Sequence, residues 1–304
     1  MQNRSCVLFA ILLCLTASMS WGAETEVDET DLVPRMDILY KKFSTEAFTG
    51  FVVKYYDDGQ MKTKSEYKDG LEVKVYEQYY ENGQAEFTGT LKDGLRDGLW
   101  EFNYENGQLL RKVVYKENEW EGLVETYRET GQLLSKGYYK AGKENGVWEY
   151  YKESNDLEYR AHYTIGVKDG LWEQYHDNGQ LRMLGNWKAG NMDGVWNYYH
   201  ENGQLKRTVG WIDGKQDGPE ESYFENGQLN FKVAWQNDDK EGLEEVYYQN
   251  GDVKYKVAYE AGKKYGPEVS YYQNGKINMK LSWIEDHKDG ISEEYYENGQ
   301  LKIR

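Results

Sequence analysis

Cysteine, proline and histidine are all scarce in this chain. Of 304 residues, two are cysteine, three are proline and four are histidine. Both cysteines, Cys6 and Cys14, lie in the first 22 residues. If that segment is removed the remainder has none, which excludes disulfides and thiolate metal sites. Basic side chains are also short, 37 Lys and Arg against 53 Asp and Glu, for a net charge of -16. That balance argues against nucleic acid, which needs clustered cations, and against electrostatic attachment to anionic lipid. The only long apolar run is 6–17. It is too short for a membrane span, which takes about 20 residues.

What precedes and follows that run gives it a different meaning. Arg4 stands before it and Ser20, Trp21 and Gly22 after it. This is the pattern of a secretory signal peptide over residues 1–22, cleaved after Gly22 and directing the chain to the periplasm or the exterior. Loss of Arg4 would move the net charge from -16 to -17. Residues 23–31 are acidic and poor in apolar side chains, so they read as a disordered leader. Residues 32–49 read as an N-terminal cap, with MDILYKKF at 36–43 its candidate strand.

From residue 50 onward the sequence repeats. Aligned on the Gly of the Asn-Gly pair, the copies fall at Gly59, Gly83, Gly107, Gly131, Gly179, Gly203, Gly227, Gly251, Gly275 and Gly299, a step of 24 residues with one double step that Asn155 fills. A second column runs through Gly98, Gly146 and Gly194. A third runs through Gly70 and Gly214, with Asn118, Asp238 and Asp286 as exceptions. Asn and Asp are the side chains that best tolerate positive φ, so all three columns read as turns. The intervening runs are short, alternating and rich in Tyr, Trp, Val and Leu, two per unit. Glycine at this frequency leaves no stretch long enough for a stable helix. The expected fold is all-β: an elongated array of antiparallel β-hairpins over 50–304, ten full units and one partial.

A three-residue Glu-Asn-Gly loop would set Tyr199-type residues beside Leu205-type residues. Strict alternation from there puts the Leu99-type column and the aromatic column of Tyr67, Tyr115, Trp187 and Trp211 on the same face, as one continuous core. A lone hairpin is marginal in water, so each unit must gain its stability from its neighbours.

The unit G-x-W-x-x-Y-Y-x-x-N-G-Q-L, clearest in GVWNYYHENGQL at 194–205, resembles the MORN-repeat variant of YwqK-like antitoxin proteins. The likeness covers roughly 32–304 and departs at Lys74, Asn103 and 153–156. It implies a long sheet of hairpins used for protein interaction or scaffolding, without catalysis. It also raises an exported immunity role.

The residues themselves point away from enzymatic chemistry. A carboxylate recurs at Glu77, Glu101, Glu125, Glu149, Glu173, Glu221, Glu245 and Glu293. Acid–base work needs one or two carboxylates in special surroundings, whereas a carboxylate on nearly every rung suits pairing across the sheet. His176 and His200 share a column one repeat apart, about 9.5 Å, too far to share a metal ion. No catalytic residues, metal or cofactor are expected. One column does change character along the chain: Trp100, Trp148, Trp172 and Trp196 give way to Glu220, Glu244 and Glu268. Flanked by Tyr150 and Tyr198, the tryptophans either cover the sheet or form exposed platforms for a partner. The leading expectation is a non-catalytic secreted or periplasmic scaffold for a protein partner. A polysaccharide stacked on the tryptophan row is the alternative.

Overall fold

The computed structural model describes residues 26–36 and 38–304. The expected signal peptide lies outside them. The unit around residue 200 illustrates the local rules. Strand Asn191–Tyr199 runs antiparallel to Leu205–Ile212. Between them the His200 N–H donates to the Gln204 carbonyl and the Gly203 N–H to the His200 carbonyl, each at 2.9 Å, with Gly203 at φ 81°. This is the expected three-residue loop closed by a left-handed glycine. The Asn202 side-chain oxygen accepts the Gln204 N–H at 2.9 Å, which explains the residue before the glycine. The next connection is tighter. Ile212 pairs with Lys215 across Asp213 and Gly214, whose φ values of 50° and 84° are those of a type I′ turn, whose twist matches that of the strands. Asn118, Asp238 and Asp286 replace glycine at the second position with φ of 70°, 75° and 64°.

These hairpins follow one another in chain order from Gly50–Tyr55 to Leu301–Ile303 within one 25-stranded sheet. The described residues contain no α-helix. The N-terminal end corrects one expectation: residues 26–31 are not a disordered leader. Glu26–Asp28 joins the edge of Gly50–Tyr55 in parallel, and a 3-10 turn follows over Glu29–Asp31. The sheet edge offers unpaired backbone groups, and Glu26 and Glu29 reach Lys64 and Lys54 beside it. Val27 packs with Leu32, Phe48 and Val52, while Leu32–Arg35 and Ile38–Lys41 form a small separate hairpin.

Two bulges per unit decide which side chains share a face. Tyr199 lies opposite Leu205 as expected, and the pairing recurs from Tyr55 with Met61 to Tyr295 with Leu301. One residue further on, Tyr198 pairs with Arg207 and Lys206 has no opposite number. An inserted residue reverses the alternation beyond it. Trp211 therefore pairs with Gly194 and lies on the Trp196 face, so the aromatic column does not share a face with Tyr199 and Leu205 as strict alternation predicts. The second bulge corrects the reading of the Gly194 column. Gly194, at φ 74°, lies inside a strand, and the pairing jumps from Leu184 with Asn197 to Asn186 with Asp193. Gly146 and Gly194 kink strands instead of ending them, while Gly98 opens its strand.

The result is a core on one side of a single-layer sheet. Trp100, Trp148 and Trp196 are buried, with Val113, Val209 and Val257 between the large side chains. Rings lie over bare backbone: a Cβ added to Gly137 would stand 2.2 Å from the Trp148 ring, and Gly89 and Gly185 stand likewise under Trp100 and Trp196. Ring contacts run without a break from Tyr76 through Phe87, Trp100, Tyr115, Trp120 and Tyr139, then through Trp148, Tyr150, Tyr159, Trp172 and Trp187 to Trp196. Such pairs contribute roughly 0.5–1.5 kcal/mol each beyond area burial.

Gly137→Ala is expected to lower stability by about 1–3 kcal/mol in urea denaturation, because the added methyl meets a ring that has nowhere to go. Unchanged stability would mean that the ring does not lie over that backbone.

Candidate interaction surface

The tryptophan row forms the inner lining of the sheet and does not present open platforms. Trp100 and Trp196 are 1% exposed and Trp148 4%, while Trp172, Tyr150 and Tyr198 are half-buried. Of the two readings of that row, the rings cover the sheet and do not stand as exposed platforms, because the pair of bulges turns both aromatic columns inward together. The indole N–H groups of Trp100, Trp148 and Trp196 donate to the carbonyls of Thr90, Tyr138 and Asn186 at 3.0–3.2 Å. Cations close over the rings. The Arg96 guanidinium lies 4.5 Å from the Trp100 centroid, and the Lys168 ammonium 4.4 Å from that of Trp172.

In the later repeats the same column holds carboxylates that keep the core satisfied by polar contacts. Glu220 is 4% exposed, accepts from the Trp235 indole at 2.6 Å and pairs with Arg207 at 2.6 Å. Glu244, also buried, accepts from the Tyr255 hydroxyl at 2.5 Å and pairs with Lys240. Glu268 receives the Trp283 indole at 2.9 Å and Lys264 at 2.9 Å. Trp235 and Trp283 each reach a glutamate 15 positions earlier. The corresponding residue before Trp187 is Trp172 and before Trp211 is Trp196, neither of which has an acceptor. The indole nitrogens of Trp187 and Trp211 are accordingly buried without a partner. Where the column changes from Trp to Glu, the core exchanges ring stacking for hydrogen-bonded ion pairs.

The opposite face carries the recurrent glutamates, which pair as the sequence pattern suggests. Tyr151 donates its hydroxyl to Glu149 at 2.8 Å, and Tyr127 to Glu125 at 3.0 Å. Lys112 pairs with Glu101, and Arg160 bridges Glu149 and Glu173. Burial raises the Glu149 carboxyl, but hydrogen bonds from Lys136, Tyr151 and Arg160 outweigh it and hold the group down at about 2. Glu245 is held at about 2, first by Lys232 and then by Lys256. The histidines also have structural partners. His176 and His200 set Nε2 3.0 Å from the carbonyls of Tyr199 and Tyr223 in the next repeat, taking the place of the hydroxyls of Tyr56, Tyr80 and Tyr104 elsewhere in the column.

Sequence reasoning assigned one further set of residues to the wrong side. Leu99, Leu123, Val147, Leu171 and Val195, expected in the core, stand 51%, 39%, 38%, 40% and 60% exposed on the glutamate face. They repeat every 24 residues, so the signal for a regular row was present. Its side depended on bulges that periodicity does not reveal.

Together these features define a repeat protein of stacked hairpins, sealed on one face and open on the other. The MORN repeat variant family matches nine segments, 52–69, 96–117, 120–141, 168–189, 192–212, 216–237, 240–261, 264–285 and 288–304. The chain belongs to that family. The stretches left between matches include Lys74 and the departure at 153–156, yet hairpins continue through both. No curated protein matches the chain. Among solved structures it is similar to TcdB2-TccC3-Cdc42, at 13% identity and a TM-score of 0.20 over 88% of this chain and 16% of that one. It is also similar to a Tc holotoxin pore of Photorhabdus luminescens, at 15% identity and a TM-score of 0.19 over 87% of this chain and 16% of that one. The chain thus spans about one sixth of the length of those proteins.

A pH dependence follows from the lowered carboxyls. A glutamate held near 2 when folded and at its ordinary 4.5 when unfolded stabilises the fold above about 4.5, and that contribution is lost as pH falls toward 2. Glu245→Gln is therefore expected to lower the melting temperature at pH 7 and to flatten its decline between pH 5 and pH 2. An unaltered decline would remove Glu245 from the cause.

Proposed function

We propose that this chain is a non-catalytic scaffold whose extended sheet binds another protein. The observation that carries this reading is the division of labour between the two faces. One side is occupied by the ring ladder and the buried glutamates, while the other holds exposed aliphatic side chains in register over successive repeats. A surface built on a stitched array is held in shape before any partner arrives, which reduces the ordering cost of association. The recurrent carboxylates and histidines already have structural partners, which supports binding over acid–base chemistry. The polysaccharide reading is weakened because Trp100, Trp148 and Trp196 are buried and Trp172, Tyr150 and Tyr198 half-buried. Arg4, the apolar run and the small residues before Ala23 favour export to the periplasm or beyond.

Protein recovered from its native source should begin at Ala23 by N-terminal sequencing and should co-purify with a stoichiometric protein partner. An intact leader on cytosolic protein would defeat the export reading. Recovery of the chain alone, at expression levels and salt that preserve complexes, would defeat the scaffold reading.

A further inference from the structure

On the ring-bearing face, the second residue after each tight turn stands over the aromatic core. In four units it is a base that lays its charge on the rings beside it. The Arg96 guanidinium lies 4.5 and 5.3 Å from the centroids of Trp100 and Tyr115, and the Lys168 ammonium 4.4 and 4.9 Å from those of Trp172 and Trp187. Lys240 lies 4.9 Å from Tyr259 and Lys264 4.7 Å from Trp283. In the unit before Lys168 the same place holds Glu144, which pairs with Tyr139 and has Trp148 and Tyr163 where Lys168 has Trp172 and Trp187. Glu72, the other carboxylate of this column, has Leu91 in place of Tyr163.

Five rings, Tyr139, Trp148, Tyr150, Tyr159 and Tyr163, lie between Trp120, under Arg111, and Trp172, under Lys168. Among the described residues none of the five has a cation over it, and the Glu144 carboxylate has neither an ion pair nor a side-chain hydrogen bond. Tyr139 stands edge-on to Trp148 at 5.3 Å, and Tyr150 stacks on Tyr159 at 4.3 Å. The four tyrosines and Glu144 are half-buried, so each keeps part of its surface open to solvent. Burial raises the Glu144 carboxyl, against the opposing charge of Lys168. The Tyr163 hydroxyl is pushed up to about 12, by burial first and then by the Glu144 charge. The hydroxyls of Tyr139, Tyr150 and Tyr159 are likewise raised by burial first, and Glu144 adds to each. A carboxylate among the negative faces of aromatic rings is the reverse of what the neighbouring units build.

Lys168 does not fill the gap, because its ammonium is held over Trp172 and Trp187 and makes no ion pair with Glu144. Adjacent places of this kind are occupied together at Lys240 and Lys264, each paired with a glutamate of its own, Glu244 and Glu268. A cation over Trp172 therefore does not exclude another beside Glu144. The geometry points to a binding site for an organic ammonium ion, with its charge on the Glu144 carboxylate and its aliphatic part against the rings of Tyr139 and Tyr163. The ligand does there what a lysine of the chain does in later repeats, and a cation gains more from ring faces when it is partly withdrawn from water. A small quaternary amine and a lysine side chain both carry this chemistry. The site lies on the ring face, away from the exposed aliphatic row, and stands independently of the scaffold reading.

The test titrates the full chain by calorimetry with choline, with butylamine, and with the uncharged alcohol in which carbon replaces the choline nitrogen. Physiological ionic strength screens the effect of distant charges. At least one of the two ammonium ions should bind saturably at one site per chain, and the uncharged alcohol at least about tenfold more weakly. Tighter binding of choline assigns the site to a quaternary amine, and tighter binding of butylamine to a primary amine of the lysine type. Glu144→Gln changes a half-buried side chain that has no hydrogen bond to lose. It should keep the wild-type circular dichroism and weaken binding on the order of tenfold. Glu144→Lys supplies the cation from the chain itself, so it should abolish binding without lowering the melting temperature. Glu129→Gln at a hairpin tip should leave binding unchanged. Absence of saturable binding by both ammonium ions, equal binding of the uncharged alcohol, or undiminished binding by Glu144→Gln or Glu144→Lys would overturn the inference.

Discussion

A sheet one layer thick has no second layer against which to hide its apolar side, so the contact between an indole ring and the bare backbone of the neighbouring strand underlies much of this structure. Trp148 over Gly137 shows how it works. With no side chain beneath it the ring lies flat, and flat rings reach their neighbours on both sides. Large and small residues therefore alternate across adjoining strands, and the repeats become each other's hydrophobic core. Cations such as Arg96 and Lys168 close the outer surface of the rings, where a second layer would stand in an ordinary domain.

The two halves of the array meet the same constraint by different chemistry. Up to Trp196 the core is a run of touching rings; from Glu220 onward it is a series of buried carboxylates held by indole, hydroxyl and basic donors. A buried charge is tolerated only when paired and hydrogen-bonded, and each of these has both kinds of partner. The change leaves a trace at the boundary in the unpartnered indole nitrogens of Trp187 and Trp211, which have a tryptophan where later repeats have a glutamate. Because units touch only their neighbours, such a change of core can occur partway along without disturbing the rest.

Stitching along the edges holds the faces in register. At the hairpin tips Asn82, Asn106, Asn178 and Asn202 donate to a loop carbonyl of the next repeat. At the opposite edge Glu121 and Asp169 accept the backbone N–H of Ala141 and Ala189 in the next turn. These bonds give the repeated Asn-Gly and Asp-Gly pairs a purpose beyond shaping their own turns. They fix how each hairpin lies on its neighbour, and with it the spacing of the exposed aliphatic row.

The sequence by itself determined the period, the strands and the hairpin turns, because turn geometry is local and Asn, Asp and Gly announce the backbone angles they supply; the three-residue loop, preferred over a two-residue one for the single core face it would make, is present although that core face is not. It also determined that the glutamate column would pair within the sheet, since a charge on nearly every rung needs a partner on nearly every rung. Only the tertiary structure decided which face each column occupies. The bulges at Lys206 and Gly194 shift the register by what one residue on one strand finds opposite it, and that depends on two strands meeting. For that reason Trp148 lies inside and Leu123 outside, against the expectation from alternation alone, and the face left open to solvent is the one lined with aliphatic side chains.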